Sequence, residues 1–389
     1  MDSRERVLAA LDHQETDRVP LDLGSWVSSI HKQAYEDLIA YLRNEENKPD
    51  DFPLRYELKD WVQQLPVIDD SVLKRLGIDT RYVRPSEPRG DDWKLSKLED
   101  EDYYYVIDGW GVTRKRPKKG GLYYDIVFSE CPLKDADTDD LKDYDWPDPE
   151  DPGFLEGVKQ KAKSLRQKGF AVVADFNFES WYENSWYMRG YEQFYKDLYK
   201  NPEFVEALLD KTLELHMKFL SFILDEVGDY IDVIAQGDDL ANQDGPAISL
   251  EMYRKFVKPR QKKIFDLINQ KTDAKLFYHS CGAVKKLLPD LVDIGVDIIN
   301  PVQVSASGMD TKKLKEEFGD ELTFWGGIDT QRILPNGSTA DVRGEVNKRT
   351  DHLHHGGGYV LTSVHNIQAD VSPENIVTMF DSARNHSVN

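Results

Sequence analysis

The feature that most constrains the fold of this chain is the alternation of short apolar runs with helical patterns, which becomes regular after Pro152. Apolar runs of this length, without polar alternation, are typical of parallel strands that are buried on both faces. Eight such strands are predicted, beginning near Val19, Ile78, Phe170, Ile231, Leu276, Asp297, Leu322 and Tyr359. Eight strands that are mostly separated by helices predict an α/β fold, the (β/α)8 or TIM barrel.

A chain of 389 residues fits one such barrel with insertions, so residues 1–389 are expected to form a single domain. Residues 93–150, approximately, read as a β-rich insertion, in which Asp108-Gly109 predicts a hairpin turn after Tyr103–Ile107. Residues 51–65 are expected to be helical. A doubly wound open sheet is the alternative architecture, but no glycine-rich phosphate loop follows any predicted strand.

Charge and cysteine content narrow the classes of partner. The chain has 71 acidic and 50 basic residues and a formal net charge of -21, which opposes binding to nucleic acid or to an anionic membrane surface. It has two cysteines, too few for a disulfide framework, as is usual in a reducing cytosol. Neither a secretory signal nor a membrane-spanning run is recognisable. A cytoplasmic protein that acts on a small molecule is therefore expected.

One strand end carries a pair of metal-ligating side chains. The apolar run 275–278 leads directly into His279-Ser280-Cys281-Gly282. Because successive side chains of an extended chain alternate in direction, His279 and Cys281 are expected on the same side, where both can bind one metal ion. A buried thiol beside a hydrogen-bonded histidine is the alternative.

The other strand ends are also polar, and the carboxyl ends of the strands are where barrel enzymes place their active sites. Asp175, Asp238, Asp239 and His365 are candidates for acid–base catalysis, although an aspartate there can equally cap a helix. Flat substrates are commonly bound by aromatic rings, with core packing as the alternative for each ring. The candidates for substrate binding are Asn177, Trp181, Tyr182, Trp186 and Gln303.

Several of these stretches resemble the uroporphyrinogen decarboxylase superfamily, which includes the zinc-dependent corrinoid methyltransferases. They are distributed over nearly the whole chain, and the resemblance implies a barrel. The stretches are Arg4-Glu5-Arg6-Val7-Leu8, Asp17-Arg18-Val19-Pro20, Gly237-Asp238-Asp239, Tyr278-His279-Ser280-Cys281-Gly282, Trp325-Gly326-Gly327-Ile328-Asp329, His365-Asn366-Ile367 and Pro373-Glu374-Asn375.

The resemblance also bears on the branch of the superfamily. True uroporphyrinogen decarboxylases have an arginine-rich R-Q-A-G-R segment after the first strand, whereas residues 23–28 of this chain contain no arginine. The methyltransferase branch binds zinc through His-x-Cys and a further cysteine near the last strand. Here His279 and Cys281 match and His365 stands at the last position, where the decarboxylases also have a histidine but no metal. Zinc on His279, Cys281 and His365 is expected, with a metal-free site as the alternative.

The resemblance implies a methyltransferase with two partners, a small-molecule methyl donor and a corrinoid bound to a separate protein. The density of aromatic residues after Asp175 suggests a methoxylated aromatic compound as the donor. Removal of the methyl group from such a donor is an O-demethylation. A homodimer is also an expectation. The first alternative is a metal-independent decarboxylase or lyase acting on a small acid, and the second is a non-catalytic protein that binds a corrinoid or an aromatic ligand.

Overall fold

The computed structural model describes residues 1–45, 50–91, 93, 95–176 and 180–386. Its central element is a sheet of seven parallel strands in the spatial order β13-β12-β11-β10-β9-β8-β3. These strands are β3 (Thr80–Val83), β8 (Ala171–Asp175), β9 (Val233–Gly237), β10 (Lys275–His279), β11 (Ile298–Asn300), β12 (Thr323–Ile328) and β13 (Tyr359–Ser363).

An extended segment around Leu21 joins the two edges of this sheet. Leu21 pairs in parallel with Leu361 of β13, and the backbone carbonyl of Leu21 accepts a hydrogen bond of 2.9 Å from Asp79, which directly precedes β3. The segment thus occupies an eighth strand position and closes the sheet. All eight predicted strand regions lie in the barrel wall, and the predicted (β/α)8 barrel is confirmed.

Apolar side chains that range in size from alanine to tryptophan fill the interior of the barrel. The interior cluster has contributions from all seven strands of the sheet and from the helix Ser3–Leu11. Its members are Val7, Leu11, Val27, Tyr82, Ala171, Val173, Val233, Ala235, Phe277, Ile298, Trp325 and Val360. Since side chains alternate along a strand, the residues two positions after these also point inward, at the carboxyl ends of the strands. Asp175, His279 and Asn300 are among them.

Helices surround the barrel, and several begin at a residue whose side chain accepts a backbone N–H, as Asp2 does for α1 and Ser338 for α14. The α-helices are α1 (Ser3–Leu11), α2 (Lys32–Glu45), α3 (Asp70–Leu76), α4 (Asp140–Asp143), α5 (Val158–Gln167), α6 (Trp181–Arg189), α7 (Tyr191–Lys200), α8 (Pro202–Val227), α9 (Leu250–Met252), α10 (Lys258–Lys271), α11 (Leu288–Asp293), α12 (Thr311–Phe318), α13 (Ile333–Asn336), α14 (Thr339–Leu353) and α15 (Pro373–Asn385). In the described part of the chain, no helix is long and apolar enough to cross a membrane.

A four-stranded antiparallel sheet lies between β3 and β8 in the sequence. Its strands, in spatial order, are β4 (Ser96–Glu99), β5 (Tyr103–Ile107), β6 (Thr113–Pro117) and β7 (Asp125–Ile126). The turn predicted at Asp108-Gly109 is longer than two residues, because the Asp108 side chain accepts the backbone N–H groups of Trp110 and Val112. The second strand therefore begins only at Thr113.

The helix expected over residues 51–65 is wrong. This segment contains β1 (Leu58–Asp60), which pairs with β2 (Leu65–Pro66) in an antiparallel hairpin. The hairpin is fixed to the loop after the first barrel segment, because Lys59 Nζ donates to the carbonyl oxygens of Gly24 and Ser25 at 2.6 and 2.7 Å. Contacts with a distant loop therefore override the local helical pattern.

Candidate active site and metal centre

Three metal-ligating side chains meet at the carboxyl end of the barrel. His279, Cys281 and His365 each offer one ligand atom, and these atoms lie within 4.8 Å of one another. The Sγ atom of Cys281 is 3.6 Å from Nε2 of His279, and the two imidazole rings have centroids 5.6 Å apart. The structure thus brings together, around one point, the three residues that the sequence predicts as metal ligands. These three residues are called the triad below.

Asn300 at the end of β11 determines which nitrogen of His279 is available as a ligand. The Nδ2 atom of Asn300 donates to the carbonyl oxygen of Trp325 at 3.1 Å, so Oδ1 is the atom that faces His279. Because this oxygen only accepts, Nδ1 of His279 must carry the proton of their 2.6 Å hydrogen bond. The lone pair of Nε2 then faces Cys281, as is usual for a metal-ligating histidine whose other ring nitrogen donates a hydrogen bond.

The backbone around the triad is tightly packed. A Cβ atom on Gly237 would lie 2.7 Å from the Cβ atom of His279, so only glycine fits opposite this histidine. After Cys281, Gly282 has a φ of +91° and donates its N–H to Oε1 of Gln303 at 2.7 Å. Gln303, predicted as a substrate ligand, therefore holds the His-x-Cys-Gly turn.

Asp239 is the carboxylate beside the triad. Its Oδ1 atom accepts the backbone N–H of Cys281 at 2.8 Å and lies 3.8 Å from Nε2 of His279. Burial raises the pKa of Asp239, and the hydrogen bond from Cys281 opposes this shift. Asp239 is thus placed to exchange a proton with a molecule bound at the triad.

Asp238 has a different role. Its Oδ1 atom accepts the backbone N–H groups of Tyr182 and Glu183, both at 2.9 Å, at the first turn of α6. Asp238 is 1% exposed, and burial, followed by repulsion from Glu183, raises the pKa of its carboxyl well above the usual range. Helix capping, the alternative that the sequence left open for these aspartates, describes Asp238 in this structure.

The triad is electrically neutral in the metal-free protein. Burial lowers the pKa of His279 to about 4, and burial together with the neighbouring His279 lowers the pKa of His365 to about 4. Burial and the nearby carboxylate of Asp239 raise the pKa of the Cys281 thiol well above its usual value. At neutral pH the histidines are therefore ready to bind a metal, whereas the thiol must first lose its proton.

Asp175, predicted as an acid–base residue, belongs to a group of charges at the end of β8. Its Oδ2 atom accepts from Nε of Arg84 at 2.8 Å. Burial raises the pKa of Asp175, while the positive charges of Arg84 and Lys59 oppose the shift. Arg84 and Lys59 also donate to the carbonyl oxygen of Gly24, so this group holds the loop after the first barrel segment.

The predicted aromatic substrate wall is largely packed into the protein. Trp181 and Tyr182 are 4% and 1% exposed and belong to the main hydrophobic core. Trp186 is partly exposed, and its ring contacts that of Tyr187 with a centroid distance of 4.2 Å. Asn177 lies outside the described residues.

Three residues near the site were not predicted as site residues. Asn300 ends a strand, as the predicted ligands do, and this position is the signal that could have identified it. Trp26 lies with its ring centroid 5.0 Å from that of His279. Glu183 accepts a 3.0 Å hydrogen bond from the Tyr187 hydroxyl, and burial and the charge of Asp239 raise its pKa to about 8. Nothing in the sequence around Trp26 or Glu183 indicates these contacts.

Comparison with known proteins places this barrel in an enzyme family. Residues 121–386 match the family model of uroporphyrinogen decarboxylase (URO-D), and the chain therefore belongs to this family.

Two particular proteins are similar to this chain at low sequence identity. The uroporphyrinogen decarboxylase of Chlorobium chlorochromatii is 23% identical over 194 residues, which is 49% of this chain and 51% of that protein. The match thus spans about half the length of that relative. A methyltransferase from Methanosarcina mazei superposes with a TM-score of 0.61 and 18% identity, covering 99% of this chain and 98% of the other. At this identity the likeness shows a shared fold.

Proposed function

We propose that this protein is a zinc-dependent methyltransferase that moves a methyl group between a small methylated compound, such as a methoxylated aromatic, and a corrinoid carried by a separate protein. The observation that carries the proposal is the convergence of His279, Cys281 and His365 at one point, with ligand atoms within 4.8 Å of one another. Two imidazoles and one thiolate suit zinc, and three protein ligands leave one position for a substrate, as in catalytic zinc sites.

The side chains fit a metal on physical grounds that do not depend on the family. Nε2 of His279 is kept free of its proton by the hydrogen bond from Nδ1 to Asn300, and it faces the Cys281 sulfur. A bound zinc ion would supply Lewis acidity to the substrate heteroatom, and a site with one thiolate retains more of that acidity than a site with two.

The other residues near the triad supply proton transfer and a wall for the substrate. Burial raises the pKa of Asp239, which lies beside the triad and in its protonated form can give its proton to the leaving oxygen of a methoxy substrate. Behind it, Glu183 has a pKa of about 8 and can hold a further proton while it accepts the Tyr187 hydroxyl. The Trp26 ring beside His279 offers a flat apolar surface to an aromatic substrate.

The test combines metal content with turnover. Purified protein is expected to contain about one zinc per chain and to form methylcobalamin from free cob(I)alamin and a methoxylated aromatic compound. Cys281→Ala and His365→Ala should lose both properties. Cys131→Ala is the matched control, since Cys131 is the other cysteine and lies outside the triad. A zinc content below about half an equivalent that Cys281→Ala leaves unchanged would contradict the proposal.

A metal-independent decarboxylase is the second candidate, favoured by the family match over residues 121–386. Asp239 and His365 would then act as the acid–base pair, since the charge of Asp239 raises the pKa of His365 against the effect of burial. Release of carbon dioxide from small acids by zinc-free protein, retained in Cys281→Ala and lost in His365→Ala, would establish this candidate in place of the first.

A further inference from the structure

A basic segment stands out in this acidic chain. Five of the six residues 114–119 are lysine or arginine, although the whole chain has a formal net charge of -21. The segment covers most of β6 and part of the loop that follows. Two of its cations are paired with carboxylates of the same insertion. Arg114 bonds to Asp108, and Lys118 lies 3.0 Å from a carboxylate oxygen of Glu99.

Arg116 is held in place without a carboxylate partner. Its Nη1 atom donates to the carbonyl oxygen of Gly121 at 3.1 Å, and its guanidinium carbon lies 4.9 and 5.2 Å from the ring centroids of Tyr104 and Tyr124. Its Nε atom is buried and makes no hydrogen bond to the described residues. The guanidinium is thus positioned by two rings and one carbonyl, with donors left over.

Lys32 is the second cation at this place. It is the first residue of α2, where the helix dipole is already positive, and its Nζ donates to Oε1 of Gln64 at 2.7 Å. Lys32 lies near Arg116, because the residue before it, His31, bonds to the carbonyl oxygen of Leu122, and Arg116 bonds to that of the adjacent Gly121. Burial lowers the pKa of Lys32, and the positive charge of Arg116 acts in the same direction. Within the described residues, the polar contacts of these two cations are to the Gln64 amide oxygen and to the Gly121 carbonyl oxygen, and neither cation forms an ion pair with a carboxylate.

His31 joins the two cations but is itself neutral. Its Nε2 atom donates to the carbonyl oxygen of Leu122 at 3.0 Å, and its Nδ1 atom accepts the N–H of Gln33 at 3.2 Å. Burial is the main cause that lowers the pKa of His31. The charge of Glu36, which accepts the hydroxyl of Tyr56, raises the pKa of both Lys32 and His31 and so offsets part of the positive charge. Glu36 forms no described ion pair with Lys32 or Arg116, so the donors of the two cations stay available to a bound anion.

The two cations lie at the rim of the barrel mouth, which is the opening at the carboxyl ends of the strands. The backbone N–H of His31 donates to the carbonyl oxygen of Ile367 at 2.8 Å, two residues after the proposed ligand His365. The residue before Gln64, Gln63, donates through Nε2 to the carbonyl oxygen of Trp26, whose ring contacts His279. These two hydrogen bonds connect the segments that carry Lys32 and its partner Gln64 to the segments that carry His365 and Trp26.

We propose that Arg116 and Lys32 form an anion-binding site at the rim of the mouth, which holds a carboxylate or phosphate group of the molecule that occupies the mouth. Two mutually repelling cations without a carboxylate partner are stabilised by an anion that accepts their free N–H groups. The site uses none of the metal ligands. It can therefore be tested on zinc-free protein, independently of the proposed methyl transfer.

Isothermal titration calorimetry on the full zinc-free chain tests the site, with inorganic phosphate and benzoate as separate probes. Saturable binding of one anion per chain is expected. Arg116→Gln and Lys32→Gln should each weaken it roughly tenfold, because each removes a charge-assisted hydrogen bond. The matched control is Lys119→Gln, which removes the same charge from the exposed end of the segment and should change the affinity by less than about twofold.

The outcomes separate the sources of the anion. Tighter binding of benzoate indicates a carboxylated aromatic ligand, and tighter binding of phosphate indicates a phosphate-bearing one. The proposal is overturned if neither probe binds saturably, or if Lys119→Gln weakens binding as much as Arg116→Gln. Should Arg116→Gln fail to fold, Arg116→Lys and Lys32→Gln serve instead. Arg116→Lys keeps the charge but loses the planar donors, so it should bind more weakly than the wild type.

Discussion

Asn300 holds the imidazole of His279 through a 2.6 Å hydrogen bond from Nδ1, which leaves Nε2 facing Cys281. Asn300→Leu removes this acceptor, so we expect zinc affinity to fall about 10- to 100-fold, as for other residues that accept a hydrogen bond from a metal-ligating histidine. Competition with a chromophoric chelator measures the affinity. Asn300→Asp keeps an acceptor and should stay within a few-fold of the wild type. Equal losses in the two variants would show that Asn300 acts through packing alone.

Zinc binding should release one proton per chain at neutral pH. The pKa values of His279 and His365 are about 4, so both histidines are already neutral, whereas the raised pKa of Cys281 keeps its thiol protonated. The affinity should therefore rise by about tenfold per pH unit between pH 6 and 8. Calorimetry in two buffers of different ionisation enthalpy counts the protons. A count of zero or three would contradict this assignment.

Acid should destabilise the metal-free fold in a defined window. His354, outside the triad, has a pKa lowered from 6.5 to about 4, chiefly by burial. The unfolded chain takes up a proton below about pH 6.5 and the folded chain does not until about pH 4, so stability is fully present above 6.5 and is lost as the pH falls between these values.

The slope attributable to His354 is about 1.4 kcal/mol per pH unit. Urea unfolding at several pH values, with a chelator present, should show His354→Gln to be less acid-sensitive by this amount. His355→Gln serves as the control because its side chain is 81% exposed, and it should leave the slope unchanged. The same slope in both variants would show that His354 is not the source.

Asp22 organises the interior of the barrel beneath the site. Its two oxygens accept hydrogen bonds from Ser28, Thr80, Tyr82 and Trp325 at 2.5 to 2.9 Å, and the residue is fully buried. Asp22→Ala leaves four donors without an acceptor and should lower the free energy of unfolding by about 3 to 5 kcal/mol. Ser28→Ala removes one donor and should cost about 1 kcal/mol. Similar urea midpoints for the two variants would contradict this expectation.

Two glycine substitutions should affect two different quantities, the zinc affinity and the free energy of unfolding. In Gly237→Ala the new Cβ atom would lie 2.7 Å from the Cβ atom of His279, so His279 must shift and zinc affinity should fall at least about tenfold. In Gly344→Ala, within α14, the new atom meets nothing within 4 Å, and the helix should gain about 0.5 to 1 kcal/mol. Chelator competition and urea unfolding measure these effects. Unchanged zinc affinity in Gly237→Ala would show that the backbone of β9 shifts and that His279 keeps its position.

Local sequence patterns predicted an element correctly where its apolar spacing and its terminal residues lie within the element itself. The eight apolar runs, α1 and the break between α7 and α8 at Asn201 all follow from periodicity and from turn or proline signals. The hairpin at residues 58–66 did not, because Lys59 and Gln63 hold it to a loop more than 30 residues away in the sequence. A local sequence pattern gives no information about contacts between residues that are distant in the chain.

The sequence by itself determined the barrel and placed His279, Cys281 and His365 at strand ends, because strand alternation and closure of the barrel fix where those ends point. The tertiary structure decided what each polar side chain contacts. It made Asp238 a helix cap and left Asp239 beside Cys281, and it added Asn300 behind His279. These contacts depend on the distances between strands and helices that are remote in the chain, and those distances are set by tertiary packing.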